Sequence, residues 1–222
     1  MKPVYFIIAL LAIALTFVTY KWIACSSDDA SQAASDGQTE TAPASGLVNT
    51  IMTRTSVRAY SDREISAECV DTLLRAAMAA PTAMNLQPWQ FVVITDRATL
   101  DSIASNCRNI SMASQAQLAI AVCGDLDIAD KGEGQPYWIQ DCSAATENLL
   151  LAAHAMGLGA VWCGIYPIEE RVAFVRSLLQ LPDNIIPLNI VPIGYPAAAT
   201  SPKDKYKPER IHENKWNPNV TQ

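Results

Sequence analysis

Residues 80–93 read APTAMNLQPWQFVV. A helical pattern stops before Pro81, because the residue preceding a proline disfavours the helical region. A short polar turn follows, carrying Thr82, Asn85 and Gln87, and Pro88-Trp89 leads into the apolar run Phe91-Val92-Val93-Ile94, which predicts a strand. A polar loop between a helix and a buried strand is where folds place ligand contacts. Asn and Gln each offer both a donor and an acceptor. Taken alone, the same residues equally describe a structural turn with satisfied amides, with Trp89 in the core.

The helix before the turn is well marked. Ser66 can cap it, and Val70, Leu73, Leu74, Ala77 and Met78 recur at the spacing of one helical face. Residues 47–53 predict a shorter helix upstream. Downstream, residues 98–105 suggest a short helix, and residues 107–117 show no clear pattern. Residues 118–123 form an apolar run ended by Gly124-Asp125, the pattern of a buried strand. Residues 138–156 carry the longest helical pattern, closed by Gly157, and the alanine-rich stretch 148–156 predicts burial nearly all round. Residues 160–163 predict a third strand. Residues 168–181 predict a helix, with Pro167 at its start and Pro182 just beyond. Residues 185–195 predict a strand interrupted by Pro187 and Pro192, which places it at an edge or a bulge. Long helices alternating with few short strands give a three-layer α+β domain.

The 222 residues are half hydrophobic, enough for one domain with a real core, and the net charge of −6 with no basic stripe argues against nucleic acid as a partner. The N-terminus stands apart. Residues 4–20 form an uncharged apolar run behind Lys2, about 26 Å long as a helix against the ~30 Å of a hydrocarbon core. Cys25 follows Ala24 and precedes Ser-Ser-Asp-Asp, so residues 1–25 read either as a lipoprotein signal with Cys25 as the lipidated residue, or as an uncleaved membrane anchor. The acidic segment beyond Lys21 favours an extracytoplasmic, membrane-tethered placement for the rest of the chain. Residues 26–46, rich in Ser, Ala, Thr, Asp and Gln, read as a disordered tether, which leaves 47–222 as the domain.

The domain holds Cys69, Cys107, Cys123, Cys142 and Cys163 with no C-x-x-C pair, so neither a metal site nor a redox dithiol is expected. Its histidines, His154 and His212, suggest no catalytic constellation. His154 lies on an apolar helix face as a core residue would.

Residues 54–60 read RTSVRAY. In extended chain Arg54, Ser56 and Arg58 project to one side, which suits a phosphate; the alternative is a solvated basic turn. Together with the turn at 80–93, the segment GLGAVWCG (157–164) and VPIGYP (191–196) followed by Lys203 and Lys205, this chain resembles the FMN-dependent nitroreductase family, with four matches in the family's order over residues 47–216. The resemblance implies a mixed central sheet wrapped by helices, in an intertwined homodimer with two flavins at its interface.

It also implies a set of cofactor-binding residues. Arg54, Ser56 and Arg58 would meet the FMN phosphate with Lys203 and Lys205, although Lys207 could stand in for either lysine, and Thr55 would bind the cofactor beside them. Pro81, Thr82, Ala83, Asn85 and Gln87 would line the flavin from the other subunit, Thr82 replacing the family's usual serine. Trp162, Cys163 and Gly164 would lie along the ring, and Asn109 would add a polar contact. Tyr137 and Trp138 would either touch substrate over the open flavin face or pack at the dimer surface. No side chain is expected to be catalytic, since the flavin carries the chemistry. The implied activity is electron transfer from NAD(P)H, or another donor, to nitro compounds, quinones or similar small molecules. The alternatives are a tethered flavin- or ligand-binding lipoprotein without turnover, and the same fold turned to reductive dehalogenation or flavin modification.

Overall fold

The computed structural model describes residues 46–217. The segment read as signal or anchor, Cys25 and all but the last residue of the expected tether lie outside the described residues.

The chain opens with helix α1 (Gly46–Thr53), none of whose residues is buried. It runs extended to Tyr60, which bridges to Pro196. Helix α2 (Ala67–Met78) follows, and Ser66 caps it as expected, its hydroxyl accepting from the Cys69 N–H at 3.3 Å. After the 3₁₀ turn Ala83–Asn85 comes β1 (Trp89–Ile94). Helix α3 (Arg97–Asn106) is capped by Asp96, which accepts from the Thr99 N–H at 2.8 Å. The stretch without a sequence pattern is a kinked 3₁₀ segment, Arg108–Gln115. Strand β2 (Leu118–Asp125) leads to the longest helix, α4 (Tyr137–Ala155), whose end is turned by Gly157 at φ 74°. Two short strands, β3 (Gly159–Ala160) and β4 (Cys163–Gly164), precede α5 (Glu169–Leu179) and β5 (Ile185–Gly194).

The strand order is β1-β2-β5-β3, with β4 also on β5, and every pairing is antiparallel. The expected mixed sheet is thus corrected for the described residues. The α3 helix and the 3₁₀ segment pack on each other, and this helical hairpin returns the chain to the end where β1 left the sheet. The expectation for β5 also changes. Its prolines do not place it at an edge: it sits between β2 and the β3/β4 pair. Pro187 is tolerated at a bulge, where Val122 pairs with Asn189 and Cys123 with Pro187, skipping Leu188. Pro192 falls between the β3 and β4 pairings, where the ladder is already broken.

Alternation along β2 builds the layers. Leu118, Ile120 and Val122 join Leu73, Trp138, Leu149 and Val191 on one face, under α2 and α4. Ala119, Ala121 and Cys123 join Leu100, Ile103, Val175 and Ile190 on the other, under α3 and α5. Trp89 belongs to the first cluster. The C-terminal part of α4 is not buried all round: Leu149 and Ala153 are, but Leu151 and Ala152 are half-buried and Ala155 is exposed.

Candidate functional site

The segment from Arg54 to Tyr60 is held by its alternate residues. Val57 is buried, donates its N–H to the Ala160 carbonyl at 3.1 Å, and fills the space that a Cβ on Gly159 would need. The Tyr60 hydroxyl donates to the carbonyls of Val57 (2.8 Å) and Pro192 (3.1 Å), and burial raises its pKa well above the usual phenol range. With Val57 turned inward, Ser56 and Arg58 face solvent, while Thr55 is half-buried.

Arg54 is the most enclosed of the predicted phosphate groups. Its Nε lies 3.4 Å from Glu147 Oε1, with its side chain 16% exposed. It shares a cavity of 680 Å³ with Ile51, Met52, Glu147, Lys203 and Lys205. Segments some 150 residues apart on the sequence thus meet in one recess, where Arg54, Lys203 and Lys205 outnumber the carboxylates of Glu147 and Asp204, and Lys203 and Lys205, not Lys207, are the lysines that line it. Arg58 and Ser56 do not line this cavity. The Arg58 charge instead bears on Cys163 and Tyr60. The expected convergence of both arginines is therefore divided, with Arg54 at the lysines and Arg58 toward Cys163.

The turn at 81–87 is strained. Met84, Asn85 and Gln87 have φ of 48°, 56° and 53°, a left-handed region that asparagine tolerates and most other side chains avoid. Such strain persists only where surroundings enforce it, and it clusters at functional sites. The Gln87 N–H donates to Thr82 Oγ1 at 3.1 Å, Gln87 Nε2 donates to Asn85 Oδ1 at 2.9 Å, and the Ala83 N–H donates to Asp141 Oδ1 at 2.9 Å. Asn85 and Gln87 are exposed, as is Pro81.

Tyr137, exposed on the first turn of α4, shares a 320 Å³ hollow with Pro81, Thr82, Ala83, Gln140 and Asp141. Its neighbour Trp138 does not. It is 5% exposed, lies under Gly124 and meets Tyr166 edge-on at 5.2 Å. A Cβ on Gly124 would lie 2.3 Å from the indole. Trp138 is thus placed as a core residue, and only Tyr137 stands beside the turn.

Around β4, Trp162 is half-buried and Cys163 buried, its Sγ 3.9 Å from Met112 Sδ. Burial pushes the Cys163 thiol up to about 11, against the opposing pull of Arg58. It is a neutral packing group at physiological pH, not a thiolate. Gly164 has open space where a Cβ would stand. Its carbonyl accepts from Asn109 Nδ2 at 3.1 Å and from Arg171 Nη1 at 3.2 Å. Two residues singled out separately in the sequence, Asn109 and Gly164, are thus adjacent. Asn109 Oδ1 is buried without a partner.

All five cysteines of the domain are free, and no cluster of potential metal ligands occurs among the described residues. His154 accepts or donates a 2.9 Å hydrogen bond with Thr53 Oγ1 and takes no part in these cavities. Three residues that sequence reading passed over stand beside the predicted ones: Asp141, Glu147 and Arg171. The signal for the first two was present as the only two carboxylates of an alanine-rich helix.

A three-layer fold with a cationic recess, a strained amide-bearing turn and a glycine-opened strand defines a class. The pattern of the Nitroreductase family matches residues 51–133 and 110–195, and the chain belongs to that family. An Archaeoglobus fulgidus protein, provisionally named NADH dehydrogenase/NAD(P)H nitroreductase, is 46% identical over 171 residues, covering 75% of this chain and 96% of its own. A solved structure from Bacteroides thetaiotaomicron with the same provisional name is 46% identical, with a TM-score of 0.73 over 77% of this chain and 98% of its own. A provisional nitroreductase from Desulfovibrio desulfuricans, solved in complex with FMN, is 30% identical, with a TM-score of 0.69 over 78% of this chain and 98% of its own.

Proposed function

We propose that this protein is an FMN-dependent oxidoreductase that takes electrons from NAD(P)H and passes them to nitro compounds, quinones or similar small oxidised molecules. The observation that carries this reading is the meeting of Arg54, Lys203 and Lys205 in one cavity of a net-acidic chain. Guanidinium and ammonium groups converging from separate segments suit a phosphate dianion. The open space at Gly164, which would let a planar group approach backbone closely, fits the ring of the same cofactor. The FMN named in the Desulfovibrio structure and the NAD(P)H in the Archaeoglobus protein's name support both assignments.

When bound, FMN would supply the two-electron chemistry, accepting from the nicotinamide and delivering to the acceptor. The chain's own residues do the rest. Arg54, Lys203 and Lys205 hold the phosphate. Asn109 and Arg171 fix the Gly164 carbonyl, and so the backbone along the ring. Arg58 sets a positive charge on the Cys163 side.

The working unit in this reading is a homodimer. Helix α1 leaves Leu47 and Met52 exposed, and the C-terminal segment exposes Tyr206 and Trp216. Apolar area of this kind on a helix with no buried residue fits a covered interface. The turn at 81–87, with Asn85 and Gln87 facing outward, would then reach a flavin held by the partner. Residues 1–25 would tether the dimer to a membrane, with the domain on the extracytoplasmic side. Protease access in intact cells checks that placement.

The test is direct. Purified protein should be yellow, its flavin colour should bleach anaerobically with NADH or NADPH, and a quinone should restore it. A yellow protein inert to both nucleotides would leave ligand binding without turnover, and a protein that takes up no FMN would overturn the reading.

A further inference from the structure

We propose that Asp141 is a positioning residue that latches the strained turn at 81–87 and thereby sets how tightly the protein holds FMN; this rests on the function proposed above. The turn begins with an N–H that needs an acceptor. Thr82 stands at the position that ordinarily supplies one, but its hydroxyl makes no capping bond to the turn and is engaged by the Gln87 N–H instead. The acceptor comes from 58 residues away: Asp141 Oδ1 on α4 takes the Ala83 N–H at 2.9 Å. The two bonds divide the work. Thr82 closes the turn on itself, and Asp141 ties the closed turn to the longest helix of the domain. Beyond the turn, the Asp125 N–H donates to the Pro88 carbonyl at 2.7 Å and fixes its exit.

The carboxylate is an expensive way to make one bond. Asp141 is 6% exposed, and among the described residues it forms no salt bridge. Burial raises its pKa, and the Ala83 bond pulls the other way. An apolar residue at this place in an alanine-rich helix would avoid that cost. What the carboxylate holds is a segment with three non-glycine residues at positive φ within four positions. Released at its first N–H, such a segment relaxes toward ordinary backbone. Asn85 and Gln87 then lose the orientation in which they face out of the fold. Asp141 touches neither residue, so its influence on FMN would pass through the Ala83 backbone.

The experiment uses the full chain in three single-substitution forms and one double variant besides wild type. Asp141→Leu removes the acceptor, Asp141→Asn keeps an acceptor oxygen without the charge, and Ala83→Pro removes the donor while keeping Asp141. Proline suits the first position of a turn, and Thr82 is already extended at φ −136°, ψ 156°. Two readouts are taken: amide hydrogen exchange at residue 83 in flavin-free protein, and FMN affinity. Asp141→Leu should raise exchange at Ala83 at least about tenfold and weaken FMN about tenfold, the scale of one hydrogen bond to a charged group. Asp141→Asn should stay within about threefold of wild type on both. Ala83→Pro should lose as much FMN affinity as Asp141→Leu, and the double variant Ala83→Pro/Asp141→Leu should lose little more, since both act on one bond. Asp141→Leu with unchanged Ala83 exchange or unchanged FMN affinity overturns the latch. So does an Asp141→Asn variant as impaired as Asp141→Leu. If Asp141→Leu does not fold, the asparagine and proline variants still decide. Wild-type protein that protects Ala83 yet takes up no FMN would sink the cofactor reading while leaving the exchange arm intact.

Discussion

Replacing Arg54 with methionine should weaken FMN binding by about tenfold to a hundredfold and leave riboflavin binding nearly unchanged. Methionine keeps the apolar stem of the arginine and removes only its charge and donors. The cavity sets the magnitude. Arg54 is largely enclosed, with its side chain 16% exposed, beside Lys203 and Lys205. Two unit charges about 4 Å apart attract by roughly 4 kcal/mol at the effective dielectric of a protein surface. After desolvation, a hydrogen bond to a charged group is worth about 1.5–3 kcal/mol net. At about 1.4 kcal/mol per decade, that is one to two decades in Kd. Glu147 supplies the internal control. Its carboxylate is 3.4 Å from Arg54 and 50% exposed. Once Arg54 is gone, it stands unpaired beside the phosphate. Adding Glu147→Gln to Arg54→Met should therefore restore about two- to fivefold of the FMN affinity, the small effect expected of a solvent-screened charge. Titration by flavin fluorescence quenching measures wild type and both variants. Equal losses for FMN and riboflavin would refute the reasoning, because riboflavin has no phosphate to lose. An unchanged FMN affinity would place the phosphate elsewhere.

Arg58 should behave differently. Because its charge bears on Cys163 and not on the lysine cavity, Arg58→Met should weaken FMN and riboflavin by the same factor in that titration; a loss confined to FMN would move it to the phosphate. The buried thiols predict an alkaline weakness. Cys163 and Cys123 are pushed up to about 11 and about 12 by burial, while unfolded thiols ionise near 8.5. The unfolded state therefore releases protons first, so stability is fully present below about pH 8.5 and falls as pH rises toward 11 and 12. Urea midpoints across that range should decline, less so in Cys123→Ala, and a flat profile would contradict the burial. FMN bound across a dimer interface should stabilise the dimer by mass action, about 2.7 kcal/mol at a hundredfold excess over Kd. Stripping it should lower the melting temperature and shift sedimentation toward monomer. A monomer that retains FMN tightly would refute the shared site.

Much of the fold was legible because its signals are local. Ser66 caps a helix through a bond three residues long, Gly157 turns the end of α4, and β2 is an apolar run ended by Gly124-Asp125. The sheet's pairing was not legible. Pro187 and Pro192 carry a local rule about missing donors, and that rule misjudged β5. A central strand can keep a proline where its partners supply the irregularity: a bulge beside Pro187 and a gap between β3 and β4 at Pro192. Which strand lies beside which depends on contacts between segments some 70 residues apart, as Ala121 and Ile190 are, and no periodicity within either strand encodes it. The kinked 3₁₀ segment was opaque for the opposite reason: its period changes within eight residues, so no window sees one.

The site divides along the same line. Some residues singled out by position in the sequence lie together in the fold: Arg54, Lys203 and Lys205 line one cavity, and Asn109 bonds the Gly164 carbonyl. Residues that hold these motifs were missed, and they lie mostly on α4. Along that helix Asp141 takes the Ala83 N–H, Thr146 takes Asn189 Nδ2 at 2.9 Å, Glu147 faces Arg54, and Asn148 Nδ2 donates to the Ala76 carbonyl at 3.1 Å. An alanine-rich helix gains nothing in packing from these polar groups and loses burial free energy at the buried ones, Asp141 and Thr146. Each one reaches a different segment, namely the turn, β5, the start of the domain and the end of α2. The apolar pattern of α4 states that it is buried. Its polar exceptions state what it is buried against, and they become readable as positioning residues only once their distant partners are known.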